Sequence, residues 1–486
     1  MSVSVGLALA AQLLLWLMVI GVFLASRQAS IFHPLTFYLG FHGLAFVVRP
    51  SLVHFLGFDS LWNYMVFEPA EADQIKTLAV SSIALIVFAA ASVWAGRSNV
   101  TFVKARTEPV TPAEWRTLIL VTVLLAPVVA YSIIRSNTGG FQGELRGSTF
   151  VLTGDSGYVL EAQFMATPLL CIWLAATRFK WQGLVLLALY VGYRAYWGWM
   201  RSTLVLFLAA VAMAYCWEHR RKWLPFWMLL LAIPVIMLFH ALGQRRGMVQ
   251  AFFRGESISE IISESEGQTA TLSARDRYRV KYDTQDYANF DYLTFVLATV
   301  PRKTGTYSYG TQYLQLFTEP IPRKLWAGKP LGGPVSLLNL NAYGRFVGLT
   351  VSLAGDGWLS GGWIGLIVTM AFFGWIWGRF HRWFWANIDR GLCAMLYMIA
   401  LSMSPQHFRD GGISIAKFLF WNLSPVILWA AVSWLMGSRL VPSGSKLLPG
   451  GARLRFLTPV ASGPGRTPIV PGSHPGREGA ASPRTR

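Results

Sequence analysis

Apolar residues run through this chain in blocks, and a helix crossing the hydrocarbon of a bilayer needs about 20 of them in succession. Such blocks fall at residues 4–26, 31–49, 77–95, 117–134, 160–177, 183–199, 202–217, 224–242, 361–378, 391–403 and 414–436, the tenth being the shortest. The pattern predicts an all-α polytopic membrane protein of about 11 transmembrane helices. The first block has neither a basic lead-in nor a small-residue cleavage site, so it reads as a retained helix. One interval breaks the rhythm, a 107-residue segment over 244–350. Its first half, Glu256 to Asp286, mixes charges and predicts a soluble helical insertion. Its second half is aromatic, and the stretch 290–300, too short to span, predicts an interfacial helix. The chain thus divides into an N-terminal bundle of about eight helices (1–243), one large loop (244–350), a C-terminal bundle of about three helices (351–438) and a tail (439–486). The tail is rich in Pro, Gly, Ser and Arg, cannot bury a core and predicts disorder.

Composition agrees with this reading and charge orients it. Hydrophobic residues make up 54% of the 486 and charged residues only 13%, too few to cover a soluble surface. Yet the formal net charge is +19. In an apolar chain that charge points to basic loops and not to nucleic acid. Arg27, Arg97, Lys104, Arg106, Arg116, Arg178, Lys180, Arg220, Arg221, Lys222, Arg379, Arg382 and Arg390 fall in one alternating set of short loops. Only Lys76, Arg135, Arg146, Arg201 and Arg409 fall in the other. The excess of positive charge in cytoplasmic loops then predicts an extracytoplasmic N-terminus and a cytoplasmic C-terminus. The tail carries eight basic residues against Glu478 alone, in keeping with that side. The large loop lies outside and is long enough to escape the rule; such loops are where function concentrates. Cys171, Cys216 and Cys393 all sit in apolar blocks, which gives no disulfide framework and no metal-ligand spacing.

Candidate chemistry gathers on the outer side. Arg146, Arg194, Arg201, Arg302, Arg323, Lys329 and Arg409 all fall there. Singly, each reads equally as a snorkelling contact with lipid headgroups. Arg194 stands apart, because an arginine within a span costs roughly 2.5–3.5 kcal/mol and should face a cavity or a partner. Several guanidinium groups converging on one cavity would suit a diphosphate, whose oxygens they bind with paired donors. Among the outer acids, Glu71-Ala72-Asp73 spells a short E-x-D of the kind that holds a divalent metal in some sugar transferases, a pattern that also arises by chance. Asp356, in Ala354-Gly355-Asp356-Gly357-Trp358, reads as an N-cap or turn residue on structural grounds and as a base on chemical ones. Asp410 and His407 share the loop His407-Phe408-Arg409-Asp410-Gly411-Gly412, His407 being a proton acceptor or an ordinary interfacial histidine. Nucleotide-cradling glycine motifs, H-E-x-x-H and G-x-S-x-G are all missing from the sequence. An enzyme of this kind would use a pre-activated substrate already held in the membrane.

The segment Pro320-Ile321-Pro322-Arg323-Lys324-Leu325-Trp326-Ala327-Gly328-Lys329-Pro330 resembles the I-P-R-x-x-W-x-x-K-P stretch of bacterial oligosaccharide repeat-unit polymerases, the Wzy-type O-antigen polymerase family. His33-Pro34, Arg49-Pro50, Trp199-Met200-Arg201-Ser202, Tyr309-Gly310-Thr311-Gln312-Tyr313 and Gly357-Trp358-Leu359-Ser360-Gly361-Gly362 extend the likeness in order over residues 30–415. Asp356 stands where many relatives carry Glu, and Ser360 where Asn is usual. The resemblance implies a membrane-embedded, type C-like glycosyltransferase, inverting and metal-independent, with no cofactor. It would polymerise undecaprenyl-diphosphate-linked oligosaccharides into O-antigen, capsule or exopolysaccharide at the outer face of the inner membrane. Its expected company is membrane lipid and a flippase and chain-length regulator of the same pathway, with no nucleic acid. On this reading Arg201, Arg323, Asp356, His407, Arg409 and Asp410 are catalytic candidates. Arg146, Arg194, Arg302, Tyr309, Trp326 and Lys329 are substrate-binding candidates, although Tyr309 and Trp326 serve equally as interfacial anchors. A ligase handing the glycan to another acceptor, and a flippase of lipid-linked oligosaccharide, are the alternatives.

Overall fold

The computed structural model describes residues 3–98, 112–138, 143–146, 149–152, 157–197, 201–228, 230, 288–318, 326, 333–344, 350–389 and 391–436. The expected tail, the block 224–242 beyond its first residues, the insertion 256–286 and the heart of the I-P-R stretch lie outside them. The described chain is almost wholly helical. α1 is Val3–Ala25, α2 Pro34–Leu56, α3 Glu71–Ala95 and α4 Pro112–Asn137. A two-stranded antiparallel hairpin follows, β1 (Gly143–Arg146) with β2 (Thr149–Leu152), Arg146 standing opposite Thr149 beside the turn. Then come α5 (Val159–Ala176), α6 (Trp181–Trp197), α7 (Arg201–Glu218) and α8 (Asn289–Thr299). α9 (Ser352–Ala386), α10 (Gly391–Ser402), α11 (Ser404–Asp410) and α12 (Ser414–Leu435) complete it.

Seven helices among the described residues, α1 to α5, α9 and the apolar part of α12, are long and apolar enough to cross a membrane. The chain is an α-helical, multi-pass membrane protein. α6, α7 and α10 fill three further expected blocks with helices whose apolar parts are shorter. The short basic loops meet at one end of the bundle. There Ile31 N donates to Lys222 O (2.9 Å), Arg178 pairs with Glu218 (3.7 Å), Arg220 with Asp389 (3.2 Å), and Trp217 donates to Ile388 O (2.9 Å). The opposite end is tied by Ser4 Oγ to Glu71 (3.0 Å) and by Leu61 N to Asp291 (2.9 Å).

The largest seam joins α3 to α9, which run side by side in the same direction. Gly374 and Gly378 lie one turn apart on α9 and face Phe88, Ala91, Ser92 and Ala95 of α3. A β-carbon on Gly378 would fall 2.5 Å from Ser92 O, so only glycine lets the two backbones approach this closely. In lipid, where apolar burial gives no net drive between helices, such close packing is what holds them.

Three expectations change. The stretch 290–300 is not interfacial. α8 is buried along its whole length, packed between α3 and α9, because it carries apolar side chains on every face and not on one stripe. The block read as 361–378 begins at Ser352, and the helix is broken at Gly361–Gly362. Gly362 sits at φ 60°, ψ −134°, a conformation that favours glycine. A β-carbon on Gly365 would be 2.4 Å from Gly357 O, although eight residues of straight helix span about 12 Å. The half-helix 352–360 therefore doubles back along the start of 363–386. Finally, His407 to Asp410 is not a short loop but most of α11, begun by Ser404-Pro405 and stopped at Gly411 (φ 102°).

Candidate functional site

Asp356 stands near the middle of the doubled-back half-helix and is 2% exposed. Its carboxylate is bound from two other segments. Gln312 Nε2 donates to Oδ1 (3.0 Å), Tyr313 OH to Oδ2 (2.7 Å) and Gly412 N to Oδ2 (2.9 Å). Gln312 also reaches Ser360 Oγ (2.7 Å), whose hydroxyl donates to Asp356 O (2.9 Å). Burial, and then the neighbouring carboxylate, push the Tyr313 phenol upward, so it stays protonated and donates. The Gly411-Gly412 pair makes the approach possible. A β-carbon on Gly412 would fall 2.8 Å from both the Tyr313 and the Phe373 rings. Asp356 is thus neither an N-cap nor a solvent-facing turn residue; it brackets the turn Thr311–Leu314, the half-helix and the start of the chain leading into α12.

The same glycine pair orients His407. Its Nδ1 lies 3.2 Å from Gly411 O, and a carbonyl only accepts, which assigns the proton to Nδ1 and the lone pair to Nε2. Nε2 is buried and has no hydrogen-bond partner among the described residues. The ring packs against Phe373 (4.6 Å between centroids) and Trp377. These neighbour the glycines that touch Phe88 and Ser92, so His407 sits deep within the bundle, far from the loop position expected of it. Arg409 and Asp410 follow, with Nε and Oδ1 3.6 Å apart and side chains 27% and 16% exposed. Gln406 contacts the other Asp410 oxygen, and Asn289 of α8 donates to Arg409 O (3.1 Å). Irregular backbone at membrane depth is tolerated only when enclosed by protein or lining a cavity. Here the chain after α8, the half-helix and Gly411-Gly412 meet around Asp356, where protein encloses them.

Towards the rim, Arg302 Nη1 pairs with Asp73 Oδ1 (2.9 Å), and Lys76 Nζ lies 4.4 Å from the Trp358 ring centroid. Glu71 takes the Ser4 hydroxyl, so the two carboxylates of the E-x-D have separate partners. Among the described residues no three His, Cys, Asp or Glu side chains group as metal ligands. Sequence reasoning missed the buried pair Arg49–Asp291 (3.6 Å). Arg49 also donates to Asp59 O (2.8 Å), and the pair fixes the loop after α2 onto α8. Its signal was an arginine closing one apolar run and an aspartate inside Phe290-Asp291-Tyr292.

The remaining candidates scatter. Arg194 is 1% exposed and donates to Gln163 Oε1 (2.9 Å), in a separate cluster of α4, α5 and α6. It faces a partner, as a buried arginine should. Tyr309 is exposed against Tyr307, and Trp326 is half-exposed. Arg146 ends β1 and Arg201 opens α7, while Arg323 and Lys329 lie outside the described residues. The structure therefore brings together Asp356, His407, Arg409 and Asp410, with Arg302 on the segment leading to them. This defines an α-helical multi-pass membrane protein with a polar site inside its bundle. The chain matches no protein family, no curated protein and no solved structure.

Proposed function

We propose that the chain is a polysaccharide polymerase of bacterial envelopes, joining lipid-diphosphate-linked oligosaccharide repeat units within the inner membrane. The observation that carries the reading is the polar site of Asp356, His407, Arg409 and Asp410, enclosed within the bundle beside the described residues 288–318. A lipid-held substrate presents its headgroup at such a place. The likeness of 320–330 to the I-P-R-x-x-W-x-x-K-P stretch supports the reaction type. In the proposed orientation the basic end faces the cytoplasm, the N-terminus is outside, the C-terminus inside, and the spans number about 11.

In the reaction, an acceptor sugar hydroxyl attacks the anomeric carbon of the donor glycan. The carbon–oxygen bond to the lipid diphosphate breaks with inversion, and the hydroxyl proton passes to a base. Asp410, with its side chain 16% exposed, is the accessible carboxylate for that role, whereas His407 is sealed among Phe373 and Trp377. Arginines neutralise the departing diphosphate. A ligase-type transfer would rest on an outer-loop histidine, and the placement of His407 inside α11 favours the polymerase.

Proteoliposomes holding the protein and a lipid-linked repeat unit should yield a ladder of polymers without added nucleotide or metal. Movement of the substrate across the bilayer with no ladder would replace the enzyme by a transporter. In the same assay Arg302→Ala is expected to raise KM about tenfold, as loss of one charge-assisted hydrogen bond of about 1.5 kcal/mol would. Unchanged kinetics would remove Arg302 from the substrate path.

A further inference from the structure

A cavity of about 230 Å³ lies between α1, the last turns of α2 and the first turn of α3, away from Asp356 and its partners. Leu9, Val53, Trp62 and Phe290 form its walls, and His54 and Gln74 its polar rim. We propose that it binds one acyl chain of a bilayer phospholipid, held as a structural lipid that wedges α1 onto the bundle.

Several observations converge on that occupant. Along the flanking helices Leu7 and Phe55 are exposed apolar side chains, so hydrocarbon is the medium beside the cavity. Whole small-molecule ligands occupy roughly 300–1,000 Å³, so this volume takes part of a ligand, such as a segment of one chain. Its depth is limited as well. One turn below Leu9 on the same face of α1, Gln12 bonds His42 (2.7 Å) and Ser81 (3.1 Å), a polar belt that stops an apolar chain. No lysine or arginine lines the cavity among the described residues, so nothing there recognises a diphosphate. That separates it from the lipid-linked substrate proposed above, and it stands whether or not that proposal does. Towards its N-terminal end α1 fully buries only Val5 and Leu9, the two α1 residues that line the cavity, so an occupant there adds to the hold on that end.

The test uses the full-length protein in vesicles of phosphatidylethanolamine and phosphatidylglycerol. One arm adds phosphatidylcholine with a diazirine on an acyl chain, the other a diazirine-bearing polyprenol. Phe290 is 3% exposed, so a membrane probe reaches it only through the cavity. Illumination with the acyl probe should label Trp62 and Phe290 as well as the outward Leu7. Leu9→Trp, or the milder Val53→Phe, should abolish labelling of Trp62 and Phe290 while Leu7 remains labelled. Labelling confined to outward residues would overturn the site, as would labelling in both variants equal to the parent. Labelling of Phe290 by the polyprenol and not by the phospholipid would overturn the occupant.

Discussion

An Asp356→Ala protein is expected to unfold with about 3 kcal/mol less stability than its parent, or more. The measurement is a thermal or denaturant melt of the detergent-purified protein. Removing the carboxylate leaves the Gln312 amide, the Tyr313 hydroxyl and the Gly412 N–H without their acceptor. Each stranded buried donor costs about 1–3 kcal/mol, so even the lower figure for all three is a large share of a protein's net stability. Asp356→Asn separates the contributions. The new amide keeps an oxygen for Gln312, and the Tyr313 hydroxyl can turn to accept from the new NH2, but the Gly412 N–H would then meet a donor. Its melt should therefore lie between parent and alanine variant, and Tyr313→Phe should fall nearer the parent. An alanine variant as stable as its parent would mean that the bracket does not hold the half-helix. A stable variant also predicts an undisturbed Gly411, and so an undisturbed His407, because the bracket and the imidazole share that glycine pair.

Gly378→Val is expected to do damage of similar size by the opposite route. Its β-carbon alone would stand 2.5 Å from Ser92 O and 2.9 Å from Gly96 N. These are backbone atoms that no rotamer change can move aside, so α9 must retreat from α3 along the seam. Overpacking usually costs about 1–3 kcal/mol, and a clash with backbone belongs at the upper end or beyond it. The check is the yield of monodisperse protein on size-exclusion chromatography together with its melting temperature. Gly21→Val supplies the control, since a β-carbon there meets nothing within 4 Å. Equal behaviour of the two variants would refute the seam.

Much of this architecture was legible in the sequence, and the losses have physical reasons. Spans such as α1, α3 and α4 were read correctly because a lipid-facing helix must be apolar over its full length, which a run of residues states directly. α8 was misread because its eleven residues satisfy two descriptions, interfacial and core, and length alone does not choose between them. The early start of α9 was hidden for a different reason. Residues 352–360 look like an approach to the span, and Gly361-Gly362 looks like a flexible joint, until Gly357 is seen against Gly365. Asp356 and His407 were picked out by residue type, but their surroundings come from Gln312, Tyr313 and Gly412, which no local pattern links to them. Arg194 was legible only in part: a buried arginine needs a partner, which Gln163 supplies, but the sequence did not show that it lies in a cluster apart from Asp356.

The α3–α9 seam also has a consequence in time. Ser92 and Gly378 are on the order of 290 residues apart, and a ribosome adds about 5–20 residues per second. α3 therefore spends roughly a quarter of a minute to a minute in the membrane before its main neighbour is made. During that interval its small-residue face is bare, and the early helices can associate only through lesser contacts such as those of α1 and α2. The newborn N-terminal half is thus the stage most exposed to quality-control proteases, and completion of α9 is the step that closes that window.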